Sequence, residues 1–284
     1  MKVTEKASAK VNLFLHVGER RSDGFHPLQS LAVFTDAGDM LHAEEAPNLS
    51  LAIDGPFGAG LAAESGNLVL RAAAALARQT GVPAGAALTL TKNLPVASGI
   101  GGGSADAAAG LRALKRLWNI EIRDTALLDV AAALGSDVPV CVPSVSAYME
   151  GRGEILTQVA VPRLPMLLVN PGVAVPTRDV FARIQKRSGV GRALPHDGFA
   201  DPISLLRFLA DTCNDLEAPA RALQPVIGKV LNELSVLPGV ALARMSGSGA
   251  TCFALFEDAD ACAHGAKTIQ NAHANWWVTA TATR

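Results

Sequence analysis

Residues 92–114 read KNLPVASGIGGGSADAAAGLRAL: a proline, a run dominated by glycine and serine, and then an alanine-rich stretch. Glycine loses more backbone freedom on folding than any other residue, so a run this dense implies a use. A strand that delivers a glycine-rich turn to a helix N-terminus makes an anion site, because the first-turn N–H groups lack intrahelical partners and the helix dipole is positive there. Phosphate fits such a site, with the glycines admitting it to the backbone and the hydroxyls of Ser98 and Ser104 available to an oxygen or a magnesium ion. The competing reading is a tight strand-to-helix turn with no ligand; three consecutive glycines and two serines favour the ligand. The loop is not a Walker A motif, since Gly103 is followed by Ser104 and Ala105 where lysine is required, and a GxGxxG reading from Gly99 falls on Ser104.

Two charged residues could do chemistry beside a phosphate. Asp137, in ALGSDVPVCV, follows Gly135 and precedes Pro139, which predicts extended geometry at Val138 and a carboxylate on a constrained turn. It reads either as a structural cap or as a group that accepts a hydroxyl proton. Lys10 lies in AKVNLFLHV (9–17), where Ala9, Val11, Leu13, Leu15 and Val17 form one apolar face and Lys10, Asn12, Phe14 and His16 the other. That second face looks into a cleft or lies on a solvated edge, for which Phe14 and His16 are poor company.

The chain has to position these groups. Its 284 residues, 49% hydrophobic and 18% charged, are enough for one large or two ordinary packed domains. Its 25 basic and 26 acidic residues nearly cancel, which argues against nucleic acid or an anionic membrane surface as partner. The N-terminus lacks the apolar core of a signal peptide and no stretch is long enough to span a bilayer, so the expectation is a cytoplasmic protein. Four scattered cysteines and six histidines form neither a disulfide framework nor a zinc pattern.

Strands are predicted at 9–17, 31–36, 49–53 and 87–94, and a helix from Asn67 as N-cap to Gly81. Helices follow the glycine run and occupy 124–135, near 177–188, 203–212 and 217–235; strand, turn, strand, helix and strand complete the chain. The proline-rich 162–172 marks the approach to a boundary, giving domains at 1–160 and 161–284, both α+β rather than a doubly wound parallel sheet. The loop at 189–202 carries no readable role.

PVASGIGGGSADAAA, with AKVNLFLHV before it and ARMSGSGATCFALF (243–256) after it, resembles the three ordered motifs of the GHMP kinases, the family of galactokinase, homoserine kinase and mevalonate kinase. RSDGFHPLQS, LGSDVPVCV, GRGE and NDLE are similar to signatures of those members whose acceptor is a cytidine diphosphate-linked methylerythritol. The resemblance implies an ATP- and Mg²⁺-dependent kinase with an N-terminal ribosomal-S5-like domain and a C-terminal ferredoxin-like domain. It implies Asp137 as catalytic base with Lys10 as its cationic partner. Pro95, Val96, Ala97, Ser98, Gly99, Ile100, Gly101, Gly102, Gly103, Ser104 and Ala105 form the nucleotide loop, with Ser104 as a candidate metal ligand. Asn67 and Lys92 are implied as adenine neighbours, and Gly247 and Ser248 as a turn closing on the loop, although spacing alone makes SGSG an ordinary hairpin turn.

Asn12, Phe25, His26, Thr177 and Phe181 are implied acceptor residues, with the two phenylalanines stacking on cytosine and His26 bonding it. The family often carries another aromatic near Ala32, which is absent here. Two alternatives remain open: a homoserine- or mevalonate-type kinase of the same family, and a nucleotide-binding regulator without chemistry, against which the presence of both Lys10 and Asp137 speaks. The expected assembly is a monomer or homodimer.

Overall fold

The structure is a computed structural model that describes residues 1–22, 24–61, 66–195 and 198–284. Among these no helix is long and apolar enough to cross a membrane. The chain forms two compact units: Met1–Ala9, Gly38–Val96 and Gly101–Ser144 in the first; Lys10–Ala37, Ala97–Ile100 and Val145–Arg284 in the second. Strands β1 (Lys2–Val17) and β2 (Leu28–Glu44) each contribute residues to both.

In the first unit, β4 (Ala86–Thr91) pairs in parallel with β3 (Leu49–Asp54) and antiparallel with Met40–Glu44 of β2. Helix α1 (Leu68–Thr80) starts where Asn67 accepts the Val69 N–H at 2.9 Å and stops at Gly81 in the left-handed region, as its sequence predicts. Its buried stripe of Val69, Ala72, Ala73, Leu76 and Ala77 packs on α2 (Gly102–Leu117), whose alanines let the two helices approach closely. Helix α3 (Asp124–Leu134) and the short α4 (Val138–Cys141) complete the layer. Val138 is therefore helical rather than extended: Pro139 falls in the first turn, where its missing N–H costs no hydrogen bond.

Strand β2 runs eight residues beyond the predicted 31–36 at its C-terminal end, through the polar segment AGDMLHAE. Gly38 permits this, because a Cβ there would stand 2.6 Å from the Ala7 carbonyl oxygen. Just beyond it, the completely buried Asp39 accepts the N–H groups of Asn93 (2.5 Å) and Leu94 (2.8 Å) and the Lys92 ammonium (2.5 Å). Lys92 also donates to Asp106 of α2 at 2.7 Å. Burial opposes the charge on Lys92, but the two carboxylates outweigh it and its pKa is raised. Burial, reinforced by Asp39 and opposed by Lys92, pushes Asp106 up to about 8.

In the second unit, Leu28–Ala32 of β2 pairs with β5 (Ala147–Gly151), which pairs with β6 (Ile155–Gln158), a hairpin the sequence reading missed. A separate antiparallel sheet has the order β10 (Trp277–Ala282), β7 (Pro165–Asn170), β9 (Cys252–Phe256), β8 (Val240–Met245). With α8 (Val226–Ser235) and α9 (Ala259–Ala272) packed on it, this is the βαββαβ pattern with strand order 4-1-3-2, the expected ferredoxin-like arrangement. The core here gathers Leu167, Val169, Ile227, Val230, Leu234, Phe256 and Ile269. The helix predicted over 217–235 is two, α7 (Glu217–Leu223) and α8, because Pro225 holds Gln224 in extended geometry. Helix α5 (Thr177–Ala182) is shorter than predicted and α6 (Pro202–Ala210) close to expectation.

Asp39→Ala, which leaves the Lys92 charge and two backbone donors without this acceptor, is expected to lower stability by about 3–5 kcal/mol in urea unfolding. Asp106 holds its proton in the folded state at pH values where the unfolded chain has lost it, so this residue makes stability fall as pH rises from about 4 towards 8. Asp106→Asn should flatten that dependence; identical pH slopes for the two proteins would contradict the assignment.

Candidate active site

The part of β1 that carries Lys10 and Asn12 belongs to the second unit, and both of its faces are buried. Lys10 is 4% exposed, Asn12 3%, Phe14 0% and His16 6%, which disposes of the solvated edge. The Lys10 N–H donates to the Ile100 carbonyl at 3.0 Å, fastening the strand to the middle of the glycine run. The Asn12 N–H donates to the Ser246 hydroxyl at 3.1 Å, and that hydroxyl donates to the Gly99 carbonyl at 3.0 Å. The side chain of Asn12 is fixed as well: its amide donates to Ser30 Oγ at 2.7 Å, which directs Oδ1 towards Lys10 Nζ, 3.4 Å away. Ser30 is itself held by donating to the Phe14 carbonyl at 2.6 Å.

Gly99 shows why this loop needs glycine. Its φ is +78°, and a Cβ would lie 2.6 Å from the Ser246 carbonyl oxygen and 2.7 Å from that of Gly249. The 246–249 turn thus packs on the loop, and Thr251 N–H adds a 3.0 Å bond to the Ser98 carbonyl. NDLE braces the same turn: Asn214 donates to the carbonyls of Met245 and Gly247, both at 2.8 Å, and Glu217 accepts the Met245 N–H. Asp215 accepts the Val17 N–H at 2.7 Å. Ser248 reaches Thr177 at the start of α5, oxygen to oxygen 2.9 Å.

The segment after β1 forms a loop closed by Gly18 N–H to the Pro27 carbonyl (2.7 Å) and Arg21 N–H to the Phe25 carbonyl (2.8 Å); its Asp23 lies outside the described residues. It presents Phe25 and His26. The His26 ring lies 6.1 Å from that of Phe181, tilted by 32°, and its Nδ1 is 3.0 Å from the Gly18 carbonyl. A proton on Nδ1 would donate to that carbonyl and leave Nε2 as an acceptor in the neutral ring. Phe25 is half exposed and lies beneath the Arg152 guanidinium, 3.9 Å from the ring centroid. Ala32, where the resemblance led to the expectation of an aromatic, is completely buried opposite Ala147 of β5.

The 189–202 segment is anchored beside this loop. Gln29 accepts the N–H groups of Gly191 and Arg192 and donates to the Arg192 carbonyl, to which the Tyr148 hydroxyl also donates at 2.6 Å. His196 and Asp197 of that segment lie outside the described residues. His16, deeper in, has its pKa lowered by burial and by Arg192 and Arg244, against Asp215. Its Nε2 accepts the Cys213 N–H at 3.3 Å, which fits a neutral ring with a structural role.

The remaining sequence-predicted residues, Ala97 apart, belong to the first unit. Gly101, with φ +64°, precedes α2, and no side chain caps the helix start, so the first-turn N–H groups of Gly102, Gly103 and Ser104 are not taken by a capping residue. Pro95 is buried, while Val96 is 52% exposed. Asn67 and Leu68 begin α1 alongside, with Leu68 Cδ1 3.7 Å from where a Cβ at Gly103 would stand. Lys92 Nζ is 3.5 Å from the corresponding point at Gly102. Asp137 occupies the N-cap position of α4, which packs on α2, and its side chain makes no bond that caps this helix. Sequence reasoning gave no role to Ser30 and Asp39 and named Asn214 and Ser246 only as part of NDLE and SGSG; the partners of these four are 16 to 234 positions away along the chain. No local pattern signals such pairs.

The family model described as GHMP kinases N terminal domain matches residues 67–144, and that described as GHMP kinases C terminal matches residues 193–271. The 4-diphosphocytidyl-2-C-methyl-D-erythritol kinase of Parvibaculum lavamentivorans is 49% identical over 281 residues, 97% of this chain and 96% of its own. That of Rhodospirillum rubrum is 50% identical over 282 residues, 98% and 91% of the two chains. A crystal structure of 4-(cytidine 5'-diphospho)-2C-methyl-D-erythritol kinase superposes with TM-score 0.82 at 33% identity, covering 99% of this chain and 100% of that one. Homoserine kinase from Cytophaga hutchinsonii, at 19% identity over 100% of this chain and 94% of its own, shares the fold with TM-score 0.71. Relatives about half identical over nearly the whole length, with both family domains matched in order, make this chain a member of the GHMP kinases, in the branch of the 4-diphosphocytidyl-2-C-methyl-D-erythritol kinases, and thus an ATP-using small-molecule kinase.

Proposed function

We propose that the protein transfers the γ-phosphoryl group of ATP to the 2-hydroxyl of 4-diphosphocytidyl-2-C-methyl-D-erythritol, in non-mevalonate isoprenoid precursor biosynthesis. The observation that carries this reading is the extent of the likeness to kinases of that name, about half of all positions over 96–98% of the chain. The pairing of His26 with Phe181 supports a flat base as part of the acceptor, and favours it over homoserine or mevalonate.

The nucleotide loop is Pro95–Ala105. The uncapped start of α2 offers Gly102, Gly103 and Ser104 N–H groups to the phosphates, with Ser98 and the 247–248 turn supporting the loop and Asn67 and Lys92 towards the adenine. Among the described residues no cluster of three acidic, histidine or cysteine side chains could hold a metal by itself. The donor set suits magnesium carried on the nucleotide, with the Ser104 hydroxyl as protein ligand. When bound there, the ion neutralises phosphate charge.

Asp137 takes the proton of the acceptor hydroxyl as the oxygen–phosphorus bond to the acceptor forms and the bond to the departing ADP breaks. The Lys10 ammonium, oriented through Asn12, stabilises charge on the transferring group. Phe25, His26, Thr177 and Phe181 bind the cytidylyl end. We retain 1–160 and 161–284 as the two family domains, a division the separate matches at 67–144 and 193–271 support. A cytoplasmic monomer or homodimer with no nucleic-acid partner fits the four free cysteines and the balanced charge.

Asp137→Asn should lower kcat by about 10²–10⁴ with little change in KM for ATP; turnover near wild type would remove Asp137 from the mechanism. Phe181→Ala should raise KM for the acceptor by about 5- to 150-fold, as loss of a base-stacking contact does elsewhere. An unchanged KM would eliminate the stacking role.

A further inference from the structure

GRGE, residues 151–154, is a motif that the reaction leaves unexplained, yet the structure gives every one of its residues a task. The turn joins β5 to β6, and Gly153 N–H closes it on the Glu150 carbonyl at 3.0 Å. Gly151 has φ +71° and Gly153 φ +102°, both in the region that favours glycine. A Cβ on Gly151 would also stand 2.7 Å from the Glu154 carboxylate, which occupies that space because it accepts the Arg152 N–H. Glu154 thus holds the backbone of Arg152 and not its guanidinium. The guanidinium lies over Phe25, 3.9 Å from the ring centroid, while Phe25 remains 48% exposed. Two loops distant in sequence, one shaped by two glycines at positive φ and held by a carboxylate, therefore converge on one aromatic ring.

We propose that Arg152 is a specificity-determining positioning residue for the acceptor: held by the Gly151–Glu154 turn, it backs one face of Phe25 and fixes that ring for a pyrimidine base to stack on the opposite face. The inference rests on the base pocket proposed above. A guanidinium packed on an aromatic ring gains from the ring quadrupole and from planar stacking, both of which orient the ring as well as attract it. A half-exposed phenylalanine without such a backing loses rotamer freedom each time a base binds; with it, that ordering is made in advance.

The test is steady-state kinetics of Arg152→Gln, Arg152→Lys, Phe25→Ala and the double variant Phe25→Ala/Arg152→Gln, with the acceptor and ATP varied separately and thermal unfolding of each. Arg152→Gln is expected to raise KM for the acceptor about 2- to 5-fold while kcat, KM for ATP and the unfolding temperature stay unchanged. Arg152→Lys should recover at least half of that change, and Arg152→Gln should add nothing once Phe25 is alanine. If Phe25→Ala raises the acceptor KM but Arg152→Gln does not, the inference fails and the base pocket stands. If Arg152→Gln acts additively with Phe25→Ala, or lowers kcat or the unfolding temperature, Arg152 works by another route and the inference is likewise overturned. If Phe25→Ala itself leaves the acceptor KM unchanged, Phe25 is not part of the base pocket, and the inference fails with it.

Discussion

The buried hydroxyl of Ser246 is the contact on which the second unit's part of the site depends. It accepts the N–H of Asn12 and donates to the carbonyl of Gly99, so one oxygen spans the strand that carries Lys10 and the glycine loop proposed to bind phosphate. A buried hydroxyl used in both directions has no latitude: losing either partner leaves a polar group dry, at a cost of about 1–3 kcal/mol. Much of the neighbourhood follows from this one requirement. Gly99 is glycine because the turn carrying Ser246 must come within contact of its backbone, and Asn214 donates to the carbonyls on both sides of Ser246 to hold it there.

The first unit solves the matching problem at the ends of the loop by charge. Asp39 gathers the backbone of Asn93 and Leu94 just before Pro95, and through Lys92 ties it to Asp106, four residues inside α2. A carboxylate surrounded by three donors tolerates burial that a lone one would not. The second carboxyl has only one, since Asp106 Oδ1 lacks a hydrogen-bond partner among the described residues, which fits a group whose proton is hard to remove. The start of the helix is thereby held without a capping side chain.

Much of this was legible in the sequence, and the boundary is physical. Local signals succeeded: Asn67 and Gly81 bracket α1, the alanine-rich stretch after the glycine run is α2, and the C-terminal strand-turn-strand-helix-strand order is correct. Local signals also misled where a neighbour in space overrode them. Val138 precedes a proline and is helical all the same, and β2 continues through Gly38 and Asp39 because β1 lies against the one and the Asn93 backbone against the other. The glycine run announced itself by composition and NDLE and SGSG as motifs, whereas the individual hydrogen bonds of Ser30, Ser246 and Asn214 exist only once folding sets them beside their partners. GRGE was visible as a motif, but its purpose required knowing that Phe25 lies beneath it.

The measurement that bears most directly on the account is ADP release by the purified protein, with ATP and magnesium, in the presence of 4-diphosphocytidyl-2-C-methyl-D-erythritol, of homoserine, of mevalonate, or of no acceptor. Turnover with the cytidylylated acceptor alone is the expected result, since it needs both the phosphate loop and the aromatic pocket. Equal or faster turnover with homoserine or mevalonate would keep the kinase and contradict the base pocket, and ATP binding without turnover on any acceptor would contradict the assignment of Lys10 and Asp137 to chemistry.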